Sequence, residues 1–140
     1  MREFKLKNFY LIKLKRGEKI HESMVEFCKK MKKFGGWFFG LGTLAEAELG
    51  FFSFSKKEYK KIKLKNNMEL VSLIGNIALA EKDFVVHSHC VLADKNFKVF
   101  GGHLFEAKVL ATCEIIFIPF DRKVERILDK TLNLKVLKLD

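Results

Sequence analysis

"VVHSHCVLADKNFKVFGGHLFEA", residues 85–107, decides how this chain reads. It holds three of the four histidines: His87, His89 and His103. "FVVHSHCVL" and "FKVFGGHLF" read as strands flanking a turn at Ala93 to Asn96. Side chains along a strand alternate between faces. His87 and His89 therefore share one face, and Ser88 and Cys90 take the other. A three-residue loop of Asp94, Lys95 and Asn96 pairs Ala93 with Phe97. In that register His103 lies opposite His87 and Gly101 opposite His89, with opposed Cβ atoms about 5 Å apart. A four-residue loop turns His103 to the wrong face unless a bulge corrects it, and Gly101-Gly102 is the place for one.

Three neutral imidazoles on one face suit Zn²⁺, with nitrogens at about 2.0–2.1 Å. Three protein ligands leave a position for water or a ligand, unlike a closed four-ligand site. His-x-His pairs also occur in strands without metals. The third histidine, brought in by the same hairpin, is what favours His87, His89 and His103 as metal ligands. His21, near the polar side of the first helix, reads as an ordinary surface histidine. A hydrolase needs a general base near its metal. Glu106 is three residues from His103 and faces away in an unbroken strand. Glu69 and Glu114 lie in strand-like runs, and all three read as carboxylates with structural hydrogen bonds. There is no Ser-His-Asp pattern, Walker loop or dinucleotide fingerprint, and "GGWFFGLG" lacks the Lys-Ser/Thr of a phosphate loop. No complete catalytic constellation is visible, and the enzyme question stays open at this level.

Outward from the histidines, the chain is mostly strand. "FYLIKLKRGE" is a strand that ends at Arg16-Gly17. From Glu18 the period changes, and Ile20, Met24, Phe27, Cys28, Met31 and Phe34 recur at helical spacing. Glutamates fill the first half of this helix and lysines the last, as the helix dipole favours, and Gly35-Gly36 stops it. "GWFFGLGTLAEAELGFFSF" is strand with a break near Gly40 to Thr43. "KEYKKIKLK", "MELVSLIGNIAL" and "KVLATCEIIFIPF" follow as further strands, the last ended by Pro119. Asp121 to Lys130 fits a short helix capped by Asp121, and "LNLKVLKL" closes as a strand. The pattern predicts an α+β fold: mainly antiparallel β-sheet with one main flanking helix.

With 140 residues the chain is expected to form a single domain, 1–140, large enough for a real core. Its fifteen Phe supply more apolar surface than one small core obviously needs. The net charge of +10 favours anionic partners. No signal-peptide h-region or transmembrane run is present, so a soluble, cytoplasmic protein without membrane contact is expected. Cys28, Cys90 and Cys113 are odd in number, widely spaced, and read as reduced core thiols.

"RGE", "GLGTLAEAELGFF", Tyr59, "MELVSLIGNIAL", "HSHCVLAD" and "VFGGHLFEAKVLATCEI" occur in that order. The succession resembles the "plants and prokaryotes conserved" (PPC) domain family, in its stand-alone prokaryotic type, from about Phe9 to Phe120. The resemblance implies a PPC-like fold and a homotrimer. It also implies zinc on the His-x-His pair and the Gly-Gly-His histidine, which are His87, His89 and His103 here. Plant members carry AT-hooks for DNA. This chain has none, and Asn67 stands where plant domains tend to have Arg.

The expected function is a zinc-binding homotrimer with a DNA-binding or regulatory role. Its DNA contacts would be mainly electrostatic, through Lys56, Lys57, Lys60, Lys61, Lys63 and Lys65. A lysine-protected edge strand is the competing reading of that run. The alternative function is a metal-dependent enzyme or small-molecule-binding protein, with a small anionic ligand at the open zinc position.

Overall fold

Period-2 patterning becomes strand almost wherever it occurs in the computed structural model, which describes residues 1–139. The elements in order are β1 (Arg2–Leu6), β2 (Phe9–Lys15), α1 (Ile20–Lys30), β3 (Gly36–Ser53), β4 (Glu58–Leu64) and β5 (Met68–Ala80). β6 (Asp83–Ala93), β7 (Val99–Pro119), β8 (Glu125–Asp129) and β9 (Leu134–Lys138) complete them. The fold is α+β, a nine-stranded, mostly antiparallel sheet with one helix among the described residues.

Two long strands organise the sheet. β3 and β7 pair with each other along most of their length. The first part of β3 also pairs β5, and its last part pairs β4. The end of β7 pairs β2, and its beginning pairs β6. Since β6 also pairs β5, the strands β3, β5, β6 and β7 form a closed ring of hydrogen-bonded neighbours. The expected break at Gly40 to Thr43 is a set of bulges inside one continuous strand. Gly42 is needed there, because a Cβ would collide with the Thr112 carbonyl on β7.

The helix packs its apolar stripe on one sheet face. Ile20, Met24, Phe27 and Cys28 meet Tyr10, Ile12, Phe38 and Phe117, all buried. Phe27 stacks edge-on against both Tyr10 and Phe117, at 5.1 and 5.2 Å between ring centres. The helix ends at Lys30, earlier than its periodicity implies, so Phe34 lies outside it and exposed. Lys32 and Gly35 then take left-handed backbone before β3. All three cysteines are buried and unpaired, and burial pushes the Cys28 and Cys113 thiols up to about 12.

Three expectations need correction. The Asp121–Lys130 segment is not a helix but carries β8, which pairs with β9 as a hairpin. Its turn is set by Asp129, whose Oδ1 accepts from the N–H groups of Thr131 and Leu132, and by left-handed Asn133. The loop between β6 and β7 has five residues, so Ala93 pairs with Val99 instead of Phe97. Asp94 closes it, its Oδ1 accepting from Asn96 and Lys98 while Phe97 adopts φ 60°. No bulge occurs at Gly101-Gly102 in this pairing; the nearby irregularity is at Phe105, where β7 shifts against Glu48/Leu49 of β3. β1 is a further strand, whose mixed charge hides its pattern in the sequence.

Candidate metal centre

The corrected register moves His103 opposite His89 instead of His87. Two residues are added to the loop, so the alternation of faces is preserved and the three imidazoles still converge. Ring centres are 5.2 Å apart for His87 and His89, 5.4 Å for His87 and His103, and 5.5 Å for His89 and His103. One ring nitrogen from each lies within 4.8 Å of the others. His89 is exposed, and the other two are half-buried. Among the described residues no carboxylate or thiolate joins this group.

The surroundings favour the neutral form of His87 and His103. Burial, then the neighbouring His87 and His89, then Lys61 and Arg126, push His103 down to about 4. His87 is lowered by burial, Arg126 and His89. Neutral imidazole is the form that donates a lone pair to a metal. The ring of His103 is wedged between Tyr59 and Phe105, at 4.8 and 4.7 Å. Its Nδ1 is buried without any hydrogen-bond partner. A buried polar atom of this kind calls for an explanation, and a cation ligated through it would supply one. The donor set fits a borderline-soft divalent ion such as zinc.

Two residues that sequence reading had not assigned to the site bear on it. Arg126 on β8 reaches across the sheet. Its Nη2 donates to Asn76 Oδ1 at 2.7 Å and lies 3.3 Å from His87 Nδ1. The turn signature of residues 129–133 between two short apolar runs could have revealed this hairpin. His21 is not an ordinary surface histidine. It lies between helix and sheet, its Nε2 is 2.6 Å from the Ser88 hydroxyl, and burial with the nearby His103 takes it to about 4.

None of the three carboxylates joins the site, and only that of Glu106 makes a hydrogen bond to another part of the fold. Glu106 accepts from the backbone N–H groups of His21 at 2.8 Å and Glu22 at 3.2 Å. Lys19, the N-cap residue, makes no side-chain cap, so Glu106 caps α1 from the neighbouring strand. Glu69 and Glu114 are exposed, the first paired with Ala93 and the second with Lys13.

The lysines do not form one patch. Lys56 and Lys57 lie in the turn before β4, and Lys65 follows the strand. Along β4, an edge strand paired only with β3, Lys61 and Lys63 approach Glu48 at 3.4 and 4.0 Å. Lys61 Nζ also sits 3.8 Å above the Phe105 ring. Lys60 alternates to the other face of the strand.

A row of cross-strand partners runs from the apolar surface into the histidines. Leu11 pairs with Ile116, Ile116 with Phe39, Phe39 with Ile74, Ile74 with His89, and His89 with His103. Leu11, Phe39 and Ile74 are exposed, as are Trp37 and Leu41 beside them. No helix of the described residues is long and apolar enough to cross a membrane.

Residues 1–121 match the family described as the Plants and Prokaryotes Conserved (PCC) domain. A plant- and prokaryote-conserved (PPC) protein from Pyrococcus horikoshii is 36% identical, with a TM-score of 0.85 over 98% of this chain and 96% of its own. A metal-containing protein from Archaeoglobus fulgidus is 27% identical, with a TM-score of 0.86 over 97% and 96%. A protein from Ralstonia eutropha JMP134, described as a candidate DNA-binding protein, is 27% identical, with a TM-score of 0.92 over 99% and 96%. No protein of curated function matches.

Proposed function

The chain belongs to the Plants and Prokaryotes Conserved domain family, and from that premise we propose that it is a metal-binding protein. His87, His89 and His103 hold one zinc ion and leave a coordination position open. The observation that carries this reading is the convergence of one ring nitrogen from each of the three histidines within 4.8 Å, with the unpartnered His103 Nδ1 as a second sign. Three imidazoles without a fourth protein ligand make an open site, the arrangement that lets a metal meet a further ligand. The metal-containing relative from Archaeoglobus fulgidus supports it.

The same reading has the chain assembled as a homotrimer. Leu11, Phe39, Leu41 and Ile74 leave an apolar strip on the sheet face away from the helix, and a second copy is its natural cover. Sedimentation measures this, and a stable monomer at micromolar concentration contradicts it.

A second reading, electrostatic DNA binding, draws on the +10 charge and on the description of the Ralstonia eutropha relative. Its contacts are the lysines around β4, acting on phosphates instead of bases.

Metal analysis tests the first reading. Wild-type protein carries about one zinc per chain, and His89→Ala loses most of it. Equal metal in the two sinks the assignment.

A further inference from the structure

Arg126 lies beyond the residues matched to the family and lines a cavity of about 600 Å³ that also reaches His87 and His103. That size is ordinary for a small-molecule site. The arginine is only 7% exposed. Nη1 donates to the Lys135 carbonyl and Nη2 to Asn76 Oδ1, both at 2.7 Å. Nε is buried with no acceptor. None of the ion pairs among the described residues includes Arg126. A buried guanidinium without a counter-charge is unfavourable unless something supplies one.

The cavity walls supply none. They contain no Asp or Glu, and their charged members are Arg126 and Lys135. The remaining surface is largely apolar, from Trp37, Val86, Phe105, Leu134 and Leu137. A divalent cation on the histidines makes the local charge still more positive.

We infer that this cavity binds a small carboxylate with an apolar body, recognised by Arg126 together with the open position of the metal. The second of those contacts rests on the metal reading above. A planar guanidinium matches a carboxylate. Free phosphate fits less well, because the apolar walls leave its further oxygens without donors.

Calorimetric titration decides it, with emission from Trp37, the only tryptophan and a wall residue, as a second signal. The probes are 4-phenylbutanoate, its neutral amide and inorganic phosphate, added to zinc-loaded and chelator-stripped protein. The carboxylate binds the zinc-loaded form, and the amide and phosphate bind roughly tenfold or more weakly. Arg126→Met weakens the carboxylate by a similar factor with zinc content unchanged. The inference is overturned if amide or phosphate binds as tightly as carboxylate, if no carboxylate binding is seen, or if Arg126→Met leaves affinity intact. Circular dichroism checks that the variant folds; if it does not, Arg126→Lys and the carboxylate-amide comparison on wild type decide. Arg126-dependent binding that ignores zinc retains the cavity and removes the metal's part in recognition, while metal analysis still tests the metal reading by itself. Zinc-dependent binding that ignores Arg126 does the reverse.

Discussion

The histidines and the lysines are the two clusters of candidate binding residues in this chain, and the same strand alternation treats them in opposite ways. His87, His89 and His103 span seventeen positions of sequence, yet their ring nitrogens gather within 4.8 Å. The lysines from Lys56 to Lys65 are dense in sequence, yet they scatter over a turn and the two faces of an edge strand. Even spacing across a hairpin concentrates side chains, while a contiguous run disperses them. The lysines are also partly answered, since Lys61 and Lys63 share Glu48. The histidines have no acidic partner among the described residues. A binding site is therefore read better from register than from local density.

The largest expected effect separates the two regions directly. His103→Ala lowers zinc affinity by roughly a hundredfold or more, measured by chelator competition, because it removes one of three ligands. Lys61→Ala, close by but not a ligand, leaves it within a few fold. Similar losses in both would mean that local charge, and not ligation, holds the metal.

Charge reversal divides the lysines themselves. Any binding of duplex DNA falls steeply with salt, with a log–log slope of about −0.9 per phosphate contacted. Lys56→Glu/Lys57→Glu/Lys60→Glu reduces that slope more than Lys61→Glu/Lys63→Glu, whose lysines already face Glu48. Equal reductions per lysine replaced would show that pairing with Glu48 does not sort these contacts. A wild type that binds no duplex at low salt removes the DNA reading.

Glu106 sharpens the point that closeness in sequence does not assign a role. It is three residues from His103 but caps α1. Glu106→Ala costs about 1 kcal/mol of stability by urea denaturation and leaves zinc affinity unchanged.

The smallest effect is a change of slope. Folded His21 titrates at about 4 against an ordinary 6.5, so it stays neutral while the unfolded chain takes up a proton. Metal-free protein therefore loses stability as pH falls from about 6.5 towards 4, and the His21 contribution is flat above that window. His21→Gln makes the decline shallower by up to one proton, and an unchanged slope would place His21 in water.

Much of this fold was legible in the residues. The helical stripe from Ile20 to Cys28 and the alternation of β5, β6 and β9 announce their elements, and the shared face of the histidines survives an error in the loop. What was not legible depends on contacts distant in sequence. Asp94 accepts from two backbone N–H groups and extends the loop to five residues, which no count of apolar positions reveals. The pairing of β6 with both β5 and β7 buries Ser88 against His21, so a histidine near the helix's polar side becomes an interior one. "VERILD" lacks clean alternation and reads as helix, because the partners of Arg126 lie on β5, β6 and β9.

X-ray absorption at the zinc edge of the metal-loaded protein tests the central claim most directly. The account predicts three imidazole nitrogens at about 2.0–2.1 Å, one further light atom from solvent or ligand, and no sulfur. In His103→Ala one imidazole contribution disappears. A sulfur shell near 2.3 Å, or a spectrum unchanged by His103→Ala, contradicts the three-histidine site.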